Sequence, residues 1–204
     1  MSTKPYHHGD LRTAMIEKGI EMINNDGVKT LSLRKVATAC GVSHAAPYSH
    51  FADKEDLLTA IENHIMEKFI AILTEAIKEG GESPKGLLRM GCAYVLFFVQ
   101  NPQYFSFIFS RSNIYFDFSE NTDGYQPFVL YKNFMTKLFD QMAYPKELRV
   151  KTMIAHWSMV HGMASIATIS GTGTLAEWEE RIPDMLSKYY FLGLNPDQLE
   201  RGSS

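Results

Sequence analysis

The side chains best able to grip a partner are crowded between positions 32 and 54: Ser32, Arg34, Ser43, His44, Ala45, Tyr48, Ser49, His50 and Lys54. The chemistry they offer is hydrogen bonding and charge pairing of the kind that reads a nucleic acid. The imidazole of His44 and the hydroxyl of Ser49 suit base edges, and Ala45 suits contact with a thymine methyl. Tyr48 and His50, with Ser32, Arg34 and Lys54 around the rim, have the reach and the donors for phosphate oxygens. Lys4 and Arg12 add contacts from an N-terminal arm. Residues 1–56 hold seven Lys/Arg against seven Asp/Glu. Local placement rather than net charge must therefore supply the attraction.

Other chemistries find less support. His7 and His8 are adjacent, and His156 and His161 are five apart, so on a helix the latter pair point in different directions and cannot share a metal unaided. No GxSxG, HExxH, GxGxxG or GxxxxGK[ST] pattern occurs. Cys40 and Cys92 show no CxxC spacing and read as packing residues, which fits a reducing compartment. The eleven methionines read as adaptable packing. No catalytic residue, metal or cofactor is expected. With 45% hydrophobic and 21% charged residues over 204 positions and a net charge of −3, the chain reads as a globular, cytoplasmic protein. The start lacks the apolar run of a secretory signal. Residues 90–110 are uncharged but are split by Gln100-Asn101-Pro102-Gln103 into runs too short for a bilayer, so no membrane partner is expected.

Helices must position these residues, because apolar side chains recur at helical spacing and period-two alternation is missing from the sequence. The pattern predicts a first helix over about 10–24, with Leu11, Met15, Gly19, Met22 and Ile23 on one face. Ser32 caps a second, with Leu33, Val36, Ala37 and Cys40 inward. Gly41 supplies a corner, Val42 plugs it, and Ser43 caps a short third helix through about His50. Pro47 makes that helix slightly irregular but not broken, costing at most one early backbone bond. Asp53, with Asp56 three residues on, caps a fourth, whose stripe is Leu57, Leu58, Ile61, Ile65, Ile72, Leu73 and Ala76. Further helices are predicted over 85–100, 102–110, 125–142, 146–168 and 175–192, with a loop over 111–124. The fold class is all-α. An N-terminal three-helix helix-turn-helix module (1–52) leads through a long connecting helix (53–80) to a larger C-terminal helical domain (81–204), to which the resemblance given below assigns ligand binding and dimerisation.

Ala37-x-x-x-Gly41-Val42-Ser43 has a mechanical reason: a small residue where two helices cross, then a glycine able to take the positive φ of the corner. With Thr30-Leu-Ser-Leu-Arg34, Tyr48-Ser-His-Phe51 and Lys54-Glu-Asp-Leu-Leu58, it resembles the tetracycline-repressor (TetR) family of bacterial transcription regulators. His161-Gly162, following Trp157, is similar to the Trp…His-Gly motif of one branch. The resemblance implies a homodimer that represses from a palindromic double-stranded DNA operator and leaves it when a small organic effector enters the C-terminal domain. Two other readings stay open: a helical interaction protein that has lost DNA binding, favoured by the neutral first module, and an enzyme using the C-terminal pocket.

Sixteen of the 25 aromatic residues lie between Tyr94 and Tyr144. Plain core packing accounts for most of them. The resemblance implies that some line an effector cavity, and Phe97, Phe98, Tyr104, Phe105, Phe109 and Phe116, with Trp157 and His161, are the candidates. The lack of charge over 90–110 speaks against a strongly anionic effector, so an apolar or aromatic one is expected. Residues 153–169 are apolar almost all round and need cover on both sides. The small residues Ala155, Ser158, Gly162 and Ser165, with Trp178, Ile182, Met185 and Tyr189 of the last helix, resemble half of a four-helix dimer interface. The alternative is burial within one protomer.

Overall fold

The capping and breaking residues place the helix ends within a few positions of where the periodicity puts them. The computed structural model describes residues 8–111, 114–118, 124–169 and 171–189, and its long elements are helices: α1 His8–Asp26, α2 Leu33–Ala39, α3 Lys54–Gly80, α4 Pro84–Gln100, α5 Pro102–Arg111, α6 Gln126–Gln141, α7 Lys146–Ala167 and α8 Leu175–Tyr189. Two short 3₁₀ turns, Val28–Thr30 and Ala46–Ser49, join them, and no strand occurs among the described residues. The all-α expectation holds. None of the described helices is long and apolar enough to cross a membrane.

The chain separates into two compact units, residues 1–67 and 68–204, so the division falls inside α3. In the first, Met15, Ile16, Ile20 and Ile23 of α1 are buried together with Leu31, Leu33, Val36, Ala37, Phe51, Leu57, Leu58 and Ile61. Ser32 caps α2 by accepting from the Lys35 N–H at 3.3 Å. At the other end of α2, Gly41 takes φ +70°. Its N–H donates to the Thr38 carbonyl at 3.1 Å, and Val42 N–H donates to the Ala37 carbonyl at 3.0 Å. That bond pair is the Schellman closure, which satisfies the last carbonyls of the helix and requires a left-handed residue at Gly41. Asp53 accepts from Asp56 N–H at 2.9 Å while the Asp56 carboxylate accepts from Ala52 N–H at 2.9 Å, a reciprocal cap for α3.

The segment after Gly41 departs from expectation. In place of a slightly irregular third helix over 43–50, it forms a turn followed by the 3₁₀ turn Ala46–Ser49. Ala46 N–H donates to the Ser43 carbonyl and Tyr48 N–H to the Ala45 carbonyl, both three residues back. Pro47 has no N–H to give the carbonyl four residues back, and in so short a segment one missing bond leaves too little α-helical ladder to survive. Its ring is buried instead, anchoring the turn to the core. Ser43 contributes its backbone carbonyl, and no side-chain cap bond is made at Ala45, the residue that precedes the turn.

In the second unit, α4 is central and packs on α5, α6, α7 and α8. Its Gly86 lies so close to the Gly81 carbonyl that an added Cβ would stand 2.0 Å from that oxygen, which is why the α3–α4 corner takes no larger residue there. Phe69 fills the α3 position that the predicted stripe gave to Ile72, which is 42% exposed. On α7, Met153, Trp157, Val160, Met163 and Ala164 are buried, whereas Ile154, Ile166 and Ile169 are exposed. The cover expected on both sides of this helix is therefore present on one side within the protomer.

Candidate nucleic-acid interface and aromatic centre

On the first unit, folding leaves a surface crevice of about 280 Å³ whose wall includes Ser32, Arg34, Tyr48 and Lys54, with Leu33, Ala52 and Asp53. Four of the eleven side chains named as nucleic-acid contacts thus meet at one place, although they come from the start of α2, the 3₁₀ turn and the start of α3. Tyr48 is 59% exposed, unusual for so large a ring. Lys54 Nζ donates to the Val28 carbonyl at 3.2 Å, which fixes its stem beside the crevice. Ser43, His44, Ala45 and Ser49 are exposed, and Ser32, His50 and Lys54 are half-buried. His44 Nε2 lies 3.2 Å from Thr38 Oγ1, and Ser49 Oγ donates to the Ala46 carbonyl at 2.7 Å. Arg12 places its guanidinium over the Phe51 ring at 5.3 Å. Lys4 lies outside the described residues.

The second unit carries a connected set of rings. Trp157 stands 5.3 Å from Tyr94, 5.4 Å from Phe116, 5.0 Å from Phe128 and 5.4 Å from Tyr131 by ring centroid. His161, one turn along α7, places Nδ1 3.0 Å from the Tyr94 hydroxyl, with Phe105 and Phe109 at 5.1 and 4.6 Å. Burial lowers the His161 pKa from its usual 6.5, because a desolvated imidazolium is disfavoured. Phe97 and Phe98 surround Phe69, Phe97 stacking on it at 4.5 Å. Tyr104 lies 5.8 Å from Phe97. A narrow crevice runs among Leu73, Met90, Gly91, Tyr94, Pro127, Tyr131, Trp157 and Val160. The room it leaves for the centre of a water molecule is about 10 Å³, about enough for one water.

Of the eight residues named for an effector cavity, Trp157 borders this crevice. Phe105, Phe109, Phe116 and His161 sit in the adjoining ring cluster, and Phe97, Phe98 and Tyr104 lie in the packing around Phe69. The rest of the crevice wall, Leu73, Met90, Gly91, Tyr94, Pro127, Tyr131 and Val160, is not among the residues the sequence reading names for a cavity. The available signal was Met90, Gly91 and Tyr94, which share one face of α4, with a mid-helix glycine that opens space beside a neighbour.

The dimer candidates divide by exposure. Ala155 and Ser158 are exposed, Gly162 and Ser165 half-buried, and a Cβ built on Gly162 meets no atom within 4 Å. Met185 is 38% exposed. Trp178 and Ile182 are a correction: at 6% and 0% exposure they are buried within the protomer on α8, which packs on α4, and they are not available to a second copy. The side chain of Tyr189 lies outside the described set. Among the described residues no group of three or more His, Cys, Asp or Glu is placed to hold a metal.

Comparison with known proteins bears on both units. Residues 15–61 match the family model described as bacterial regulatory proteins, tetR family, and residues 87–187 match the one described as tetracyclin repressor-like, C-terminal domain. Two uncharacterised HTH-type transcriptional regulators of Mycobacterium tuberculosis are 29% identical over 112 residues, covering 52% of this chain. That match spans 46% of each relative, so the chain aligns with about half the length of the curated relatives it matches. Among solved structures, a Rhodococcus protein of unknown function superposes with a TM-score of 0.62 at 23% identity, covering 91% of this chain and 98% of its own. A transcriptional regulator of the TetR/AcrR family from Thermobifida fusca gives 0.59 at 20% identity, covering 89% and 98%. At these identities the likeness shows the fold.

Proposed function

The chain belongs to the tetR family of bacterial regulatory proteins, and from that premise we propose that it is a DNA-binding transcription regulator, a homodimer that represses from a palindromic operator and is released by a small apolar or aromatic effector. The observation that carries the DNA-binding part is the convergence of Ser32, Arg34, Tyr48 and Lys54 on one exposed crevice, with Tyr48 left 59% exposed. His44, Ala45 and Ser49, exposed on and before the neighbouring turn, are the base-reading group, and Ser43 and His50 flank them.

Support for effector binding comes from the uncharged aromatic cluster around Trp157 and His161, which suits a flat organic molecule. The stripe of exposed Ala155 and Ser158 and half-buried Gly162 and Ser165, flanked by the exposed apolar Ile154, Ile166 and Met185, supports the homodimer. Two-fold symmetry would set two reading turns about 34–36 Å apart, the spacing of successive major grooves. The coupling is a population shift: effector favours a spacing of the DNA units that no longer fits, and α3, which carries the chain from one unit into the other, is the connecting element. An effector can move this equilibrium only by its differential affinity for the two spacings.

The test is selection from random duplex DNA with the purified protein. The expected outcome is an enriched palindrome with half-sites about one helical turn apart. No enrichment at low salt with a folded dimer would refute operator binding by the protein alone and favour the interaction-protein reading.

A further inference from the structure

We infer that the crevice between α3, α4, α6 and α7 takes a neutral, flat molecule bearing a hydrogen-bond acceptor, such as an aryl ketone or amide, and that Trp157 Nε1–H donates to that acceptor. The inference rests on the proposal that the second unit holds an effector, and it adds the chemical class.

Trp157 is 6% exposed, and its Nε1–H has no hydrogen-bond partner among the described residues. Native interiors seldom keep a buried donor unmet, and those that do call for an explanation. The indole nitrogen can only donate, so the matching group must accept. The other polar atoms of the wall are engaged: the Tyr94 hydroxyl with His161 Nδ1 at 3.0 Å, and the Tyr131 hydroxyl with the Met153 carbonyl at 3.1 Å. The wall carries no charged side chain. An ionised ligand would lose its water there and gain no counter-charge, and a cation would in addition meet a donor at the wall. Flatness follows from the slot: Tyr94, Tyr131 and Trp157 supply ring faces and edges, and Gly91 supplies no side chain to interrupt them. With about 10 Å³ open to a water centre, the ligand must widen the crevice. Met90, unbranched and adaptable, is the wall residue best able to yield.

Equilibrium dialysis of the full chain against 2-acetylnaphthalene and 2-isopropenylnaphthalene tests this, because the two probes differ in an oxygen against a methylene. The ketone is expected to bind at least tenfold more tightly, and W157F, which keeps a ring and removes the N–H, is expected to bring the ratio close to one. Should W157F fold poorly by thermal melt, biosynthetic replacement of tryptophan by benzothienylalanine, which puts sulfur in place of N–H at the same ring size, repeats the comparison. Equal binding of both probes by the wild type would overturn the acceptor assignment while leaving the pocket intact. A preference that persists without the N–H would overturn Trp157 as the donor. Binding of neither probe would overturn the pocket reading, and this inference with it.

Discussion

Tyr48 offers the sharpest separation of a contact role from a folding role. At 59% exposure it buries about two-fifths of its surface, on the order of 80 Å², so Tyr48→Ala is expected to destabilise the chain by about 1–2 kcal/mol at most. A buried aromatic such as Phe51, at 1% exposure, would lose about 3–5 kcal/mol on the same truncation. Tyr48→Phe removes only the hydroxyl and should shift stability by no more than about 0.5 kcal/mol. If that hydroxyl donates to a phosphate, each copy loses a hydrogen bond to a charged group, worth about 1.5–3 kcal/mol. Two copies per operator make the loss about 3–6 kcal/mol, a weakening of roughly 10² to 10⁴-fold. Fluorescence anisotropy with the selected duplex at several salt concentrations measures it. Because a tyrosine hydroxyl is neutral and displaces no counterion, Tyr48→Phe should lower affinity at every salt concentration and leave the slope of log K against log salt unchanged. Arg34→Gln should instead flatten that slope by about two for a dimer. Affinity of Tyr48→Phe within twofold of wild type, or a melting loss for Tyr48→Ala as large as that of Phe51→Ala, would refute the assignment.

Gly162→Leu has room for its Cβ, which would meet nothing within 4 Å; sedimentation velocity of the folded variant should show a shift toward monomer, and unchanged sedimentation would remove the small-residue stripe from the interface. Gly41→Ala should cost about 1–2 kcal/mol in thermal or chemical denaturation, because φ is +70° and the Schellman closure fixes it there. Burial pushes the Cys92 thiol up to about 11, so mass spectrometry after iodoacetamide treatment at pH 8 should find it largely unmodified, with rapid labelling refuting that burial. His161, held below its usual 6.5 by burial, binds its proton more readily in the unfolded chain. Its contribution is therefore complete above about pH 6.5 and is lost as the pH falls from there through the folded value. The melting temperature should fall less between pH 7 and 5 in His161→Asn than in the wild type, and equal falls would place the acid sensitivity elsewhere.

What could be read from the sequence follows from how local each determinant is. Helix starts were legible where the groups that satisfy them lie within four residues, as Ser32 with Lys35 and Asp53 with Asp56. The turn at Pro47 was underrated for a related reason. Counting one forfeited bond is sound in a long helix, but here that bond was a large share of the available ladder, and the buried proline ring won. The ring cluster was partly legible, since Trp157 and His161 stand out by resemblance, yet the phenylalanine-rich run over 97–109 masks Met90, Gly91 and Tyr94, whose place in the crevice depends on which face of α4 meets α7. The last helix shows the limit most clearly. Its amphipathic pattern predicts one buried face without naming the cover, and Trp178, Ile182 and Leu186 turn out to be covered within the protomer. A stripe at helical spacing reports that burial occurs; whether the covering surface belongs to the same chain or to a second copy is decided by long-range packing, which periodicity does not encode. The exposed Ile154, Ile166 and Met185, which the protomer leaves to solvent, are therefore better evidence for a partner surface than the tryptophan that first suggested one.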